Sequence, residues 1–198
     1  MIKKWETYRE EALKMAEEGY ILIFGEFCPE LEEIVMECLL IAMSKGKKQA
    51  TLLINSFGGK NHAYNSIKGT MAVSGLKFTG IVLGYAMSNG FHILQLCHKR
   101  VATKTSTVMF HFGTAQFSNN EIAAVRRGET WPIDHMLQKE MLEAEAVSKR
   151  TKVALKTLIG YAEQERDFTG QEAINAGFLD EVIDDLPAEI VIPKLEQA

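Results

Sequence analysis

Apolar positions recur along this chain with two periods. Trp5, Tyr8, Ala12, Met15 and Ala16 share one face of a 3.6-residue repeat that Gly19 ends, which predicts an opening helix. The run YILIFG at 20–25 is short and continuously apolar and predicts a buried strand. PELEEIVMECLLIAMSKG at 29–46 opens on Pro29 with early acids and closes on lysine and Gly46, as a helix does. A second buried strand follows at 50–55 (ATLLIN), then the turn SFGG, a helix over 61–75 despite Gly69, and a third strand at 78–84 (FTGIVLG). SNGFHILQLCHK at 88–99 reads as a short apolar helix, and RVAT at 100–103 and TVMFHFG at 107–113 read as strands. Residues 114–129 are a polar stretch to which no element is assigned. Beyond them lies a long helix over 130–151 whose stripe is Ile133, Met136, Leu137, Met141, Ala144 and Val147, which can be core or contact surface, core being the commoner. A helix over 152–164, a helical turn, a stop at Gly177 and a last strand to 183 complete the pattern.

Short apolar strands alternating with helices predict an α/β fold with a largely parallel sheet. No repeat, low-complexity tract or linker divides the chain. One domain over 1–198 is expected, with an N-terminal helix at 1–19, a core at 20–183 and a tail at 184–198. Ligands in such sheets sit at the carboxyl ends of strands. Asn55–Gly59, Gly84–Ser88 and His111 all fall at such ends.

Composition narrows the function. Hydrophobic residues make up 46% and charged residues 24%, ordinary for a packed globular protein. A net charge of -4 argues against nucleic acid, since KGKK at 45–48 is an isolated loop. Cys28, Cys38 and Cys97 are scattered and no H-x-x-x-H pair occurs, so neither a disulfide framework nor a metal site is expected. No apolar run approaches the roughly 20 residues of a membrane helix. The charged N-terminus is not a secretory signal. A cytoplasmic protein without a cofactor or membrane partner is expected.

Four features bear on chemistry. Ser88, in GYAMSNG, stands where a strand gives way to a helix, which would expose its hydroxyl beside unpaired backbone N–H groups. A serine there can equally be a helix cap. Gly58 and Gly59 would let the backbone approach a ligand, and Gly59 with Asn89 could donate two N–H groups to an oxyanion. The pair can equally be a tight turn, and the phosphate-loop pattern is missing. A base must come from five histidines. His111 lies in an apolar strand where an unpaired imidazole is expensive. His92 is one helical turn past Ser88 and competes, His62 is a weaker rival, and His98 and His135 have charged surroundings. The acid that would orient the imidazole is among Glu163, Glu165 and Asp167, and spacing does not choose between them.

Taken in order, LLINSFGG, NSIKGTM, GYAMSNG, TVMFHFG and FTGQEAINAGFLDEVI resemble the proteolytic subunit of the Clp protease over residues 20 to 183. The interval of 30 residues from Gly58 to Ser88 matches the family spacing. The resemblance implies a fold of the Clp protease and crotonase type, with repeated β-β-α-like units and a C-terminal helical handle at about 131–150. It implies a serine endopeptidase with Ser88 as nucleophile, His111 as base, Glu165 as acid with Asp167 as alternative, and an oxyanion hole from Gly59 and Asn89. It further implies a homo-oligomeric ring, heptameric in the family, an AAA+ ATPase unfoldase as partner, and peptides or unfolded proteins as substrates. Departures are Phe57 for proline before the glycine pair, Met87 and Asn89 beside the serine, HFG for HQP after the base, and Tyr64 where a small residue is usual. Tyr64 is expected to narrow the substrate groove. Two other readings follow from these departures and from the fold type: an inactive scaffold in which Ser88 is only a cap, and an acyl-CoA enzyme of the crotonase type.

Overall fold

The alternation of apolar runs becomes an alternation of strands and helices in the computed structural model, which describes residues 2–113, 116–188 and 190. Helix Ile2–Glu18 (α1) leads into strand Tyr20–Phe27 (β1), helix Pro29–Ser44 (α2) and strand Gln49–Gly59 (β2). Helix Asn61–Val73 (α3), strand Lys77–Met87 (β3), helix Asn89–Leu96 (α4) and strand Lys99–Thr103 (β4) follow. After strand Thr107–Met109 (β5) come three helices, Asn119–Arg126 (α5), Trp131–Thr151 (α6) and Leu155–Glu163 (α7). Strand Phe168–Thr169 (β6), helix Gly170–Asn175 (α8) and strand Glu181–Ile183 (β7) end the described elements. Most of the expected tail lies outside the described residues.

Seven strands form one sheet among the described residues; five of them run in the order β1-β2-β3-β4-β7 with parallel neighbours, and β5 and β6 branch from β3. Ile21, Leu22 and Ile23 of β1, and Leu52, Leu53 and Ile54 of β2, are buried on both faces, which is why these strands read as unbroken apolar runs. β3 is shared along its length. Thr79–Val82 pair with β4, whereas Tyr85–Met87 pair with β5. β5 in turn pairs antiparallel with β6 through Val108 and Phe168. The ends of β3, β5 and β6 are thereby gathered at one place.

An aromatic cluster fixes the three segments. Phe91 of α4 meets Phe178 at 5.0 Å and Phe110, beyond β5, at 5.7 Å between ring centres. Phe178 meets Phe168 of β6 at 4.9 Å. Phe91, Phe110 and Phe178 are fully buried, and such pairs add about 0.5–1.5 kcal/mol each beyond area burial. An ion pair between buried Arg100 and partly exposed Asp180 ties the far side. Arg100 reaches both oxygens of Asp180, at 2.5 and 3.1 Å, together with Gln95 Oε1 and the Gly177 carbonyl.

The structure departs from the sequence expectation in four places. β2 and β3 run on to Gly59 and Met87, past the apolar runs: the end of β2 alternates in burial, and Tyr85–Met87 of β3 find a partner in β5. β5 stops at Met109, short of 113, since its partner β6 has two residues to pair with. The polar stretch, assigned no element from sequence, holds α5, which a capping box starts: Ser118 Oγ accepts from the Glu121 N–H while Glu121 accepts from the Ser118 N–H. The α6 stripe is divided: Ala144 and Val147 are buried, but Ile133, Leu137 and Met141 are exposed. No helix among the described residues is long and apolar enough to cross a membrane.

Candidate active site

Ser88 occupies the N-cap position of α4 and does not cap it. A capping serine keeps extended backbone and accepts a hydrogen bond from the first helical turn. Ser88 has φ 52 and ψ -123, and its hydroxyl makes no cap hydrogen bond. A positive φ in a residue with a Cβ costs on the order of 1–3 kcal/mol and persists where surrounding structure enforces it. Here the Ser88 N–H donates to the Met109 carbonyl at 3.3 Å, and the His92 N–H donates to the Ser88 carbonyl at 3.0 Å.

The glycine pair explains how this turn fits. A Cβ on Gly58 would lie 2.5 Å from the Ser88 Cβ, 3.0 Å from its Oγ and 3.1 Å from the Asn89 nitrogen. A Cβ on Gly59 would lie 2.6 Å from the Phe27 backbone. The clearance read from sequence as room for a ligand is used first by the protein's own serine turn and by strand β1. Asn89 is buried, and its Nδ2 donates to the Gly59 carbonyl at 2.8 Å and to Asn61 Oδ1 at 3.1 Å.

His111 follows β5 by two residues and faces the same cleft as Ser88. Its Nδ1 is buried and makes no hydrogen bond, although Glu165 Oε1 stands 3.4 Å away, within ion-pair range. The two observations agree if the carboxylate sits near the imidazole without being aligned on its N–H. Glu165 reaches this place through a helix end. Its N–H bonds the Ala162 carbonyl and the Arg166 N–H bonds the Tyr161 carbonyl, closing α7 in a Schellman motif. Glu165 fills the left-handed position of that motif at φ 46, where glycine is usual. Asp167 is exposed and makes no hydrogen bond or ion pair among the described residues.

The other histidines are placed differently. His92 lies between Tyr64, Phe91 and Phe110, and burial, helped by Lys68 and His111, lowers its pKa to about 4. Its ring is therefore neutral near pH 7. His62 and His135 are exposed, and His98 Nδ1 accepts from the Phe78 N–H at 3.3 Å. Only His111 combines a carboxylate neighbour with the Ser88 cleft among the described residues.

That cleft, about 90 Å³, is bounded by Ser88, Asn89, His92 and His111 on one side and by Met136, Lys139 and Glu143 of α6 on the other. Past His92 it adjoins a cavity of about 670 Å³ that Tyr64 lines together with α6. The α6 contribution and the Asn89 amide were missed in sequence, because the polar face of a helix carries no signal for what it will face. Among the described residues no group of His, Cys, Asp and Glu is arranged to hold a metal ion.

A serine on a forced turn, an imidazole in its cleft and a carboxylate beside that imidazole are groups of the kinds that can together activate a serine towards an acyl carbonyl. The family model for Clp protease matches residues 4–185, and the chain belongs to that family. It is 31% identical over 152 residues to the ATP-dependent Clp protease proteolytic subunit 1 of Leifsonia xyli, covering 76% of this chain and 75% of that one. It is 29% identical over 158 residues to the ATP-dependent Clp protease proteolytic subunit of Deinococcus radiodurans, covering 76% and 72%. Proteolytic subunit 2 of Thermobifida fusca is 27% identical over 189 residues, 91% of this chain and 88% of that one.

Proposed function

We propose that this chain is a serine endopeptidase, a Clp-like proteolytic subunit that hydrolyses peptide bonds with Ser88, His111 and Glu165. The observation that carries the reading is the Ser88 backbone. It is held at positive φ, with its hydroxyl unused as a cap, in the cleft that His111 also lines. Ser88 Oγ attacks the substrate carbonyl as the His111 imidazole takes its proton. The N–H groups of Gly59 and Asn89 receive the negative charge on the carbonyl oxygen. His111 then gives the proton to the leaving amine, and water releases the acyl group by the same route in reverse. Glu165 stabilises the imidazolium formed in between.

By family membership we infer a single-domain subunit in a homo-oligomeric ring of seven, fed peptides or unfolded protein by an AAA+ ATPase in the cytoplasm. The exposed Ile133, Leu137 and Met141 on α6 are consistent with burial between subunits. Hydrolysis of fluorogenic peptides tests the chemistry. Wild type cleaves them, and His111→Ala abolishes the rate while the fold is kept. Full activity in folded His111→Ala contradicts His111 as base. Native mass spectrometry of the same sample reads the ring.

A further inference from the structure

The side chain of Asn89 connects the two backbone segments that would bind the oxyanion. Its own N–H opens α4, and its Nδ2 holds the carbonyl of Gly59 at 2.8 Å and Asn61 Oδ1 at 3.1 Å. Gly59 has reason to be held. It stands at φ 142, a conformation open to glycine, at the last position of β2. On the β1 side the chain is tied by the Lys60 N–H to the Phe27 carbonyl at 2.8 Å, so Gly59 itself faces the opposite edge. The β2–β3 ladder has already ended at Ser56 and Ala86, and no further strand residue secures that edge. A strand residue presents its N–H and C=O on one edge, so fixing the Gly59 carbonyl fixes the facing of its N–H. The amide is 4% exposed and both acceptors face it, so an acceptor in its place would meet two lone-pair oxygens.

We propose that Asn89 is a positioning residue of the oxyanion hole: its side-chain amide sets the separation of the Gly59 and Asn89 N–H donors. This rests on the serine-peptidase reading above. The negative charge exists only in the transition state, so loosening a donor lowers kcat and leaves KM in place. A side chain without an N–H donor at this position cannot make these bonds.

The test compares wild type with Asn89→Leu, Asn89→Asp and Asn89→Gln. Peptide hydrolysis gives kcat and KM, and inhibition by a peptide boronate of the same sequence reads the tetrahedral adduct. Circular dichroism and thermal melting check each fold. Expected for Asn89→Leu is a kcat lower by about 10–100-fold, the scale of a weakened oxyanion donor, with KM within about twofold and boronate affinity falling in step with kcat. Asn89→Asp falls at least as far, and Asn89→Gln, which keeps the donor, recovers part of the loss. Equal kcat and boronate affinity in folded Asn89→Leu overturns the proposal while the peptidase reading stands. So does a loss that tracks melting temperature and is the same in all three variants. Wild type that neither cleaves peptide nor forms the boronate adduct overturns both.

Discussion

Glu165 Oε1 lies 3.4 Å from His111 Nδ1, and it is delivered there by a backbone in the left-handed region at φ 46. Glycine would suit that helix end better, by about 1 kcal/mol. Glu165→Gly therefore raises the melting temperature while lowering kcat by about 10²–10⁴-fold, the scale for losing the acid behind a catalytic imidazole. Glu165→Gln lowers kcat without the stability gain, and Asp167→Asn leaves kcat within about twofold. Thermal melts beside peptide hydrolysis read all three. A loss in Asp167→Asn with full activity in Glu165→Gln reassigns the acid.

Ser88 behaves similarly in stability. Its hydroxyl forms no cap bond, so Ser88→Ala costs under about 0.5 kcal/mol, against about 0.5–2 kcal/mol for a true capping serine. Ser88→Gly relieves the positive φ and stabilises by about 1 kcal/mol. Both are inactive. Chemical denaturation gives the numbers, and a loss above 1 kcal/mol in Ser88→Ala would restore the capping role.

His92 makes the fold acid-sensitive. Its pKa falls from the ordinary 6.5 to about 4, chiefly by burial. Between those values the unfolded chain binds a proton that the folded chain does not, so unfolding is favoured as pH drops. The stability due to the neutral ring is complete above pH 6.5 and is lost as pH falls towards 4, at most about 3 kcal/mol. His92→Phe, which removes the titration at similar volume, flattens the stability curve over this window. Parallel curves for variant and wild type between pH 6.5 and 4 would refute the assignment.

Asp180 is structural. Arg100, its partner, is 6% exposed, and the pair holds the Asp180 carboxyl below its usual pKa. Asp180→Ala leaves a buried guanidinium with Gln95 and the Gly177 carbonyl alone, and destabilises by about 2–4 kcal/mol. Asp180→Asn costs less. Peptidase activity per folded molecule is unchanged, which urea titration with activity assays would check.

Much of this was legible in the sequence, for identifiable reasons. Parallel strands covered on both faces leave unbroken apolar runs, and those of β1, β2 and β3 stand in the sequence as such. The ends of β2 and β3 did not stand out, because NSFGG and YAM have loop-like composition although they pair. α5 carried its signal in Ser118 and Glu121, outweighed by the polarity of its surroundings. Spacing alone could not choose between Glu165 and Asp167, because both precede the same strand. The structure places Glu165, at the left-handed helix end, beside His111, and Asp167 has no such contact among the described residues. Of the non-glycine residues with positive φ among those described, Ser88, Lys152 and Glu165, two belong to the candidate site. Sequence patterns do not record backbone strain of that kind.

The most direct test is intact-mass spectrometry after treatment with a fluorophosphonate, on wild type, Ser88→Ala and His111→Ala. One adduct on wild type that is absent from both variants establishes Ser88 as an activated nucleophile with His111 as its base. No adduct on folded, assembled wild type contradicts the peptidase reading and leaves an inert scaffold.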